Sequence, residues 1–95
     1  MLSFTVRMRF DEADHEAIEG ALKALTTGSR AEPGCVSYIC HFLESDANTV
    51  FIYEQYKDSA ALDEHKATSH FSEFAVGVLY QRMKERVVEN LTAVA

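Results

Sequence analysis

The first ten residues contain the pattern that most restricts the fold of this chain. Every second residue from Leu2 to Phe10 is apolar, and the residues between them are serine, threonine or arginine. Because side chains of a strand point alternately to its two faces, this pattern predicts a strand with one buried and one solvated face. The chain is therefore expected to open with a half-buried strand.

A helix is predicted after this strand. Acidic residues cluster at positions 11 to 16, where a helix would begin, and Lys23 and Arg30 lie near its predicted end. Gly28 is expected to weaken the last turn. The predicted buried stripe has helical spacing and consists of Ile18, Ala21, Leu22 and Leu25.

The segment "EPG" ends this helix. Pro33 fixes its φ angle and Gly34 can adopt a positive one, so the pair predicts a turn into a second strand at residues 35–43. A polar hairpin loop, "ESDAN", then leads to a third strand at residues 49–57, which is rich in β-branched and aromatic residues.

The second half of the chain repeats the order of the first. Asp58 or Ser59 can cap a short helix that runs through Lys66. Another helix follows, and its apolar stripe consists of Phe71, Phe74, Ala75, Val78 and Leu79. A final strand is predicted at about 85–92. This order predicts one α+β domain over residues 1–95, a four-stranded antiparallel sheet with helices on one face.

The other face of this sheet would be open to solvent. The third strand has apolar residues on both of its faces, and at about 25 cal/mol per Å² an exposed patch of 400 Å² forgoes roughly 10 kcal/mol of transfer free energy. Two copies of the chain are therefore expected to pair their sheets face to face, as a homo-oligomer.

Composition excludes several classes of partner. Fifteen acidic and nine basic residues give a net charge of −6, and there is no tryptophan, so a nucleic-acid partner is not expected. No run of about 18 apolar residues or signal peptide is present, so the expected location is the cytoplasm, without a membrane partner.

Cys35 and Cys40 would lie about 16 Å apart on one strand, too far for a disulfide, and are expected to be reduced thiols.

The histidines are the main candidates for catalysis or metal binding, because the sequence contains no GxGxxG, P-loop, HExxH or GxSxG motif. His65 and His70 flank the break between the last two helices, which would let their rings converge. In one interpretation one of them caps a helix and the other is exposed; in another they line a cavity, where an imidazole suits general base catalysis. A metal site lacks a clear third ligand, although Asp63 and Glu64 are close in sequence. The histidines expected at the surface are His15 and His41.

Four other side chains are candidates for a binding site. Tyr38 would either pin the core or contact a ligand. Glu54 interrupts an apolar strand and would either pair with an arginine such as Arg7 or Arg9, or lie in a cavity with a raised pKa. The last two candidates are Phe71 and Phe74, on the apolar stripe of the last helix. They would pack in the core, form a wall of the ligand cavity, or do both.

Three segments of the sequence resemble the antibiotic biosynthesis monooxygenase family, which also includes quinol monooxygenases. They are "RAEPGCVSY", "FIYEQYKDSAALDEH" and "HKATSHFSEF", in this order and over nearly the whole chain. The resemblance implies a ferredoxin-like fold whose dimer forms an α+β barrel, with an apolar cavity in each subunit. It also implies oxidation of phenols or quinols by molecular oxygen without flavin, haem or metal.

The resemblance assigns roles to individual residues. It implies His65 or His70 as the catalytic base, Tyr38 as a hydrogen-bond partner of a substrate oxygen, and Glu54 as a substrate-binding residue; the expected cavity walls are Phe71 and Phe74. The haem-degrading branch of the family carries an asparagine-tryptophan-histidine arrangement, and this chain has no tryptophan.

Two functions from different classes are consistent with these observations. The first is a cofactor-independent monooxygenase that oxidises a small quinol or phenol, with no metal ligands in its site. The alternative is a non-catalytic homodimer that binds a small aromatic or apolar ligand in the same cavity. A haem- or metal-dependent enzyme is the third and least favoured interpretation.

Overall fold

The alternating segment at the start of the chain forms β1 (Leu2–Arg9), in the interior of a four-stranded sheet. It pairs antiparallel with β3 (Asp46–Tyr56) on one side and with β4 (Glu85–Leu91) on the other, and β2 (Cys35–Leu43) lies antiparallel beyond β3. The computed structural model describes all residues from 1 to 95, with strand order β2-β3-β1-β4. The predicted α+β, ferredoxin-like architecture is confirmed.

Two helices form where the sequence predicts them. A short 3-10 turn (Glu12–Asp14) leads into α1 (His15–Arg30), which buries the predicted stripe. The second, α2 (Ser59–Lys66), begins where the Asp58 carboxylate accepts a hydrogen bond of 2.9 Å from the amide of Ala61. That bond satisfies one of the free amides of the first turn.

The third helix, α3 (residues 69–82), differs from the prediction. Its middle part, Phe71–Leu79, is a π-helix, and only its last turn, Tyr80–Arg82, returns to α geometry. A π-helix closes its hydrogen bonds between residues five apart, so its turn is wider than that of an α-helix. Its two buried residues, Ala75 and Leu79, are four apart.

The turn between α1 and β2 forms as expected, but Gly34 is needed for a different reason. The amide of Cys35 donates to the Glu32 carbonyl oxygen at 3.2 Å, and no residue of the chain has a positive φ angle. A Cβ atom on Gly34 would lie 2.3 Å from the Cβ atom of Ala61 in α2. Glycine therefore permits close packing here, and the prediction of a positive φ was wrong.

The hydrophobic core lies between the helices and one face of the sheet. The inner residues of β1 and β3 alternate with outer ones, as the pleat requires, and include Val6, Met8, Val50 and Ile52. Both cysteines are free thiols, as predicted. None of the helices is long and apolar enough to cross a bilayer.

The opposite face of the sheet carries no helix. Exposed apolar side chains on this face include Ile39, Val87 and Leu91, each more than two-fifths exposed, and two half-buried aromatic rings of β3 lie beside them, Phe51 and Tyr53. We call these five residues the open-face patch.

Candidate functional site

A cavity of about 160 Å³ lies between the inner face of the sheet and helices α2 and α3. Most of the 17 residues around it are apolar. Every residue of β4 is exposed, including those that reach the cavity, so the cavity opens along this edge of the sheet. Its polar and charged lining consists of Tyr38, Glu54, His65, Lys66, Tyr80, Arg86 and Asn90.

The break between α2 and α3 brings the two histidines together. The Thr68 hydroxyl donates to the carbonyl oxygen of His65 at 2.7 Å and accepts from the amide of Phe71 at 3.2 Å. It thus satisfies backbone groups of the end of one helix and the start of the next. The rings of His65 and His70 lie 6.1 Å apart, centroid to centroid.

Both rings bind one carboxylate, which belongs to Glu32 in the turn before β2. His65 Nδ1 lies 2.9 Å from Glu32 Oε2, and His70 Nε2 lies 2.5 Å from the same oxygen. Because an ionised carboxylate only accepts hydrogen bonds, both of these ring nitrogens carry protons. The interpretation in which one histidine caps a helix and the other is exposed was wrong, since His65 is buried and both rings are paired.

The second nitrogen of His65 lies on the cavity side of the ring. In a neutral imidazole whose one proton is on Nδ1, Nε2 has a free lone pair. It is 3.8 Å from Oε1 of Glu54, too far for a hydrogen bond, and Glu54 lines the cavity. A buried imidazole therefore presents an acceptor towards the cavity while a carboxylate fixes its other side.

Glu54 is buried on the inner face of the sheet, paired in register with Phe4. Arg7 and Arg9 point to the outer face of β1, so the predicted pairing of Glu54 with either arginine was wrong. Burial raises the pKa of the Glu54 carboxyl, and a hydrogen bond of 2.6 Å from the Tyr56 hydroxyl partly offsets that effect. The alternative prediction, a carboxyl in a cavity with a raised pKa, is confirmed.

Two tyrosines lie beside the His65 ring. The ring centroid of His65 is 5.9 Å from that of Tyr38 and 5.1 Å from that of Tyr56. Burial, and secondly the negative charge of Glu54, raise the pKa of both phenols. Both therefore remain protonated and can donate a hydrogen bond; Tyr38 lines the cavity, whereas Tyr56 donates to Glu54.

Of the two phenylalanines predicted to form walls of the cavity, only one does so. Phe71 lines the cavity and meets the His65 ring edge-on at 5.2 Å. Phe74 packs against the core and does not line the cavity. In the wide turn of the π-helix, residues three apart no longer share a face, and Ala75 takes the place beside Phe71.

His70 also lies outside the cavity and reaches the site only through Glu32. The contact with Glu32 depends on the glycine at position 28, because a Cβ atom there would lie 2.6 Å from Cγ of the His70 ring.

Sequence reasoning did not find Glu32, Tyr56, Arg86 or Asn90. Glu32 is 33 residues from His65 in sequence, so only the packing of the turn against α2 brings them together. Tyr56 did have a signal: two residues from Glu54 on one strand, its side chain must share the same face.

The histidines and Glu32 also have the composition of a metal site. One ligand atom from each of the three residues lies within 4.8 Å of the other two. Imidazole and carboxylate groups suit first-row transition metals. The third partner is Glu32, not Asp63 or Glu64, which are both exposed.

Solved structures of other proteins have the same fold as this chain. PA3566 from Pseudomonas aeruginosa is 32% identical, with 99% of this chain and 94% of that chain covered and a TM-score of 0.89. A structure described as an antibiotic biosynthesis monooxygenase is 24% identical over the full length of both chains, with a TM-score of 0.91, and supports the fold.

Curated relatives match shorter stretches. Rv0793 from Mycobacterium tuberculosis, named as a candidate monooxygenase, is 34% identical over 62 residues, 65% of this chain and 60% of that protein. The uncharacterised protein sll1783 of Synechocystis is 44% identical over 46 residues, 48% of this chain and 31% of that protein. This chain thus spans less than two thirds of either curated relative.

The family comparison covers more of the chain than these relatives do. Residues 1–76, which include both histidines, Glu32, Tyr38 and Glu54, match the sequence model of the family described as antibiotic biosynthesis monooxygenase. The chain belongs to the antibiotic biosynthesis monooxygenase family.

Proposed function

We propose that this protein is a cofactor-independent monooxygenase that oxidises a small quinol or phenol with molecular oxygen. The observation that carries the proposal is the orientation of His65. Its Nδ1 lies 2.9 Å from the Glu32 carboxylate, and its Nε2 lies on the side of the ring that faces Glu54 in the lining of a largely apolar cavity. A carboxylate that fixes an imidazole in this way leaves the opposite nitrogen ready to accept a proton.

In this proposal His65 Nε2 takes the proton of a phenolic hydroxyl. The resulting phenolate is electron-rich enough to reduce oxygen in a water-poor cavity. For a quinol, one oxygen atom of O2 forms a C–O bond at a ring carbon, and the other leaves as water. The four electrons come from the substrate: two from conversion of the quinol to a quinone and two from replacement of C–H by C–O.

Two neighbouring groups would orient the substrate. Tyr38 remains a phenol in the cavity wall and can donate a hydrogen bond to a substrate oxygen. The protonated form of Glu54, which burial favours, can donate another without placing a second negative charge beside the phenolate. Phe71 provides an aromatic edge for the ring of the substrate.

The size of the cavity limits the substrate. An apolar cavity of about 150 Å³ in another protein accommodates benzene, and the cavity here measures about 160 Å³ and opens along β4. A substrate with one or two fused rings fits this space, with its polar end towards His65. Three-ring substrates would have to extend past β4 into solvent.

Oxygen uptake by the metal-free protein tests the proposal. A panel of one-, two- and three-ring quinols and phenols is supplied in a buffer with a chelator, and uptake and product are measured. His65→Asn retains an N–H near the position of Nδ1 and lacks Nε2, so we expect kcat to fall by about 10²–10⁴-fold. His15→Asn is the matched control, because His15 stacks on Phe42 at the start of α1, outside the cavity.

Two results would contradict the proposal. One is uptake that survives unchanged in His65→Asn. The other is thermal stabilisation of the protein by these compounds without any oxygen uptake, which would indicate the non-catalytic binding protein instead.

The proposal includes a homodimer formed through the open-face patch. Its five residues, Ile39, Phe51, Tyr53, Val87 and Leu91, are the apolar surface that the helices leave uncovered. Packing of two such sheets would form an α+β barrel and remove this surface from water.

A further inference from the structure

We propose that Glu32, His65 and His70 form a binding site for a divalent transition metal of the zinc type, and that the bound metal switches off the base function of His65. The metal site follows from the three side chains alone. The inhibitory effect rests on the proposed function.

The three ligand atoms are placed for one metal ion. They are His65 Nδ1, His70 Nε2 and an oxygen of Glu32, and all lie within 4.8 Å of one another. Zinc at about 2.0–2.1 Å from each ligand places tetrahedral ligand atoms roughly 3.3 Å apart. The present contacts to Glu32 Oε2, 2.9 Å and 2.5 Å, need to open by less than about 1 Å. The two ring nitrogens, which lie within 4.8 Å of each other, need to approach by at most about 1.5 Å.

A second carboxylate is already in place to support such a site. A metal-bound histidine usually donates its remaining N–H to a carboxylate, a carbonyl or water. Oε1 of Glu54 lies 3.8 Å from Nε2 of His65 and is held there by the Tyr56 hydroxyl at 2.6 Å. Once Nε2 carries a proton, a small movement closes this gap.

The site is accessible from solvent and its geometry is constrained by the fold. The His65 side chain is 3% exposed, whereas those of Glu32 and His70 are 12% and 20% exposed, so a metal can enter from the His70 side. With three protein ligands, a fourth position remains for water, as in zinc sites that exchange ligands.

Metal binding changes which nitrogen of His65 carries the proton. A neutral imidazole has one N–H, and coordination uses the lone pair of Nδ1, so the proton must then reside on Nε2. The nitrogen that accepts the substrate proton in the proposed mechanism becomes a donor directed at Glu54. The metal therefore removes the base without occupying the cavity.

Zinc titration of the chelator-treated full chain tests the site, with a chromogenic chelator as competitor. Zinc is the probe because it has no redox chemistry of its own with oxygen or quinol. We expect one zinc ion per chain, and at least a 10–100-fold weaker affinity in His70→Asn. The matched control, His15→Asn, should bind zinc as the unmodified protein does, and circular dichroism of all variants confirms folding.

Oxygen uptake is then measured in the same samples. We expect stoichiometric zinc to reduce the rate by about 10²–10⁴-fold, excess chelator to restore it, and His70→Asn to need at least about 10-fold more zinc for the same fractional inhibition. Zinc binding weaker than about 100 μM, or equal affinity in His70→Asn, would overturn the site. Tight binding without inhibition would overturn the switch. Absence of oxygen uptake in the metal-free protein would refute the proposed function, while the zinc affinities still test the site.

Discussion

At the scale of single residues, the position of Glu32 determines what both histidines can do. The sequence identified His65 and His70 as a pair at a helix break, and the structure brings them together there. Their common partner could not be predicted, because the turn that carries Glu32 belongs to the first half of the chain. Contacts between residues 33 and 38 positions apart depend on packing, and local patterns do not contain them.

Glu54 is a second case of this kind. Its strand has apolar residues on both faces, so the sequence did not settle which face Glu54 occupies. The register of β1 and β3 excludes the pairing with Arg7 or Arg9, because Val6 faces Ile52 and both arginines lie on the other face.

Glu32→Ala tests the positioning role of this carboxylate. Without it, the His65 ring loses the acceptor that holds its proton on Nδ1, so we expect kcat to fall by about 10-fold or more while KM changes little. Steady-state oxygen uptake and the pH profile of kcat are the measurements. A change confined to KM, with the pH profile intact, would contradict a role in orienting the base.

Cys40 provides a pH-dependent prediction away from the site. Burial raises the pKa of its thiol from 9.0 to about 11, so at pH 8–9 its reactive thiolate fraction is about 100-fold lower than in the unfolded chain. In Cys35→Ser, alkylation by iodoacetamide should accelerate about tenfold per pH unit up to roughly pH 11. A rate that levels off below about pH 9 would contradict the buried, neutral thiol.

At the scale of secondary-structure elements, the order and type of strands and helices were predictable, and the geometry of α3 was not. The spacing of the apolar residues predicted a helix. Over only nine residues, however, this spacing does not distinguish an α-helix from a π-helix. The difference decides which aromatic residue reaches the cavity. Phe71 does and Phe74 does not, although both belong to the same apolar stripe.

Helix α1 contains two glycines, and replacing each of them by alanine distinguishes the effect of helix propensity on stability from the effect of packing. Gly20 is exposed, and a methyl group added there would have nothing within 4 Å, so Gly20→Ala should stabilise the protein by about 0.5–1 kcal/mol. A methyl group at Gly28 would overlap the His70 ring, so Gly28→Ala should be about 1–3 kcal/mol less stable than Gly20→Ala. Urea unfolding at fixed pH measures both variants. Equal stabilisation by the two substitutions would show that His70 does not pack against this helix.

At the scale of the whole molecule, the uncovered face of the sheet is the feature that one chain does not explain. The apolar residues on both faces of β3 predicted an apolar outer face, and the structure places Ile39, Phe51, Tyr53, Val87 and Leu91 on it. How two such faces would align cannot be read from the sequence, since register between chains depends on side-chain fit across the interface.

The dimer prediction has a matched pair of variants. Ile39 and Val76 are almost equally exposed, at 41% and 42%, but Ile39 is in the open-face patch and Val76 is on α3. By sedimentation equilibrium we expect the unmodified protein at twice its chain mass of 10.7 kDa, Ile39→Glu at the chain mass, and Val76→Glu at twice that mass. A monomeric unmodified protein, or dimers of Ile39→Glu, would contradict this interface.

The central claim is that Glu32 holds the proton of His65 on Nδ1 and leaves Nε2 free to accept another. Nitrogen-15 NMR of the His65 ring in metal-free protein near neutral pH reports this directly. We predict a protonated Nδ1 and an unprotonated Nε2, with the proton moving to Nε2 when zinc is added. A proton on Nε2 in the metal-free protein would contradict the account.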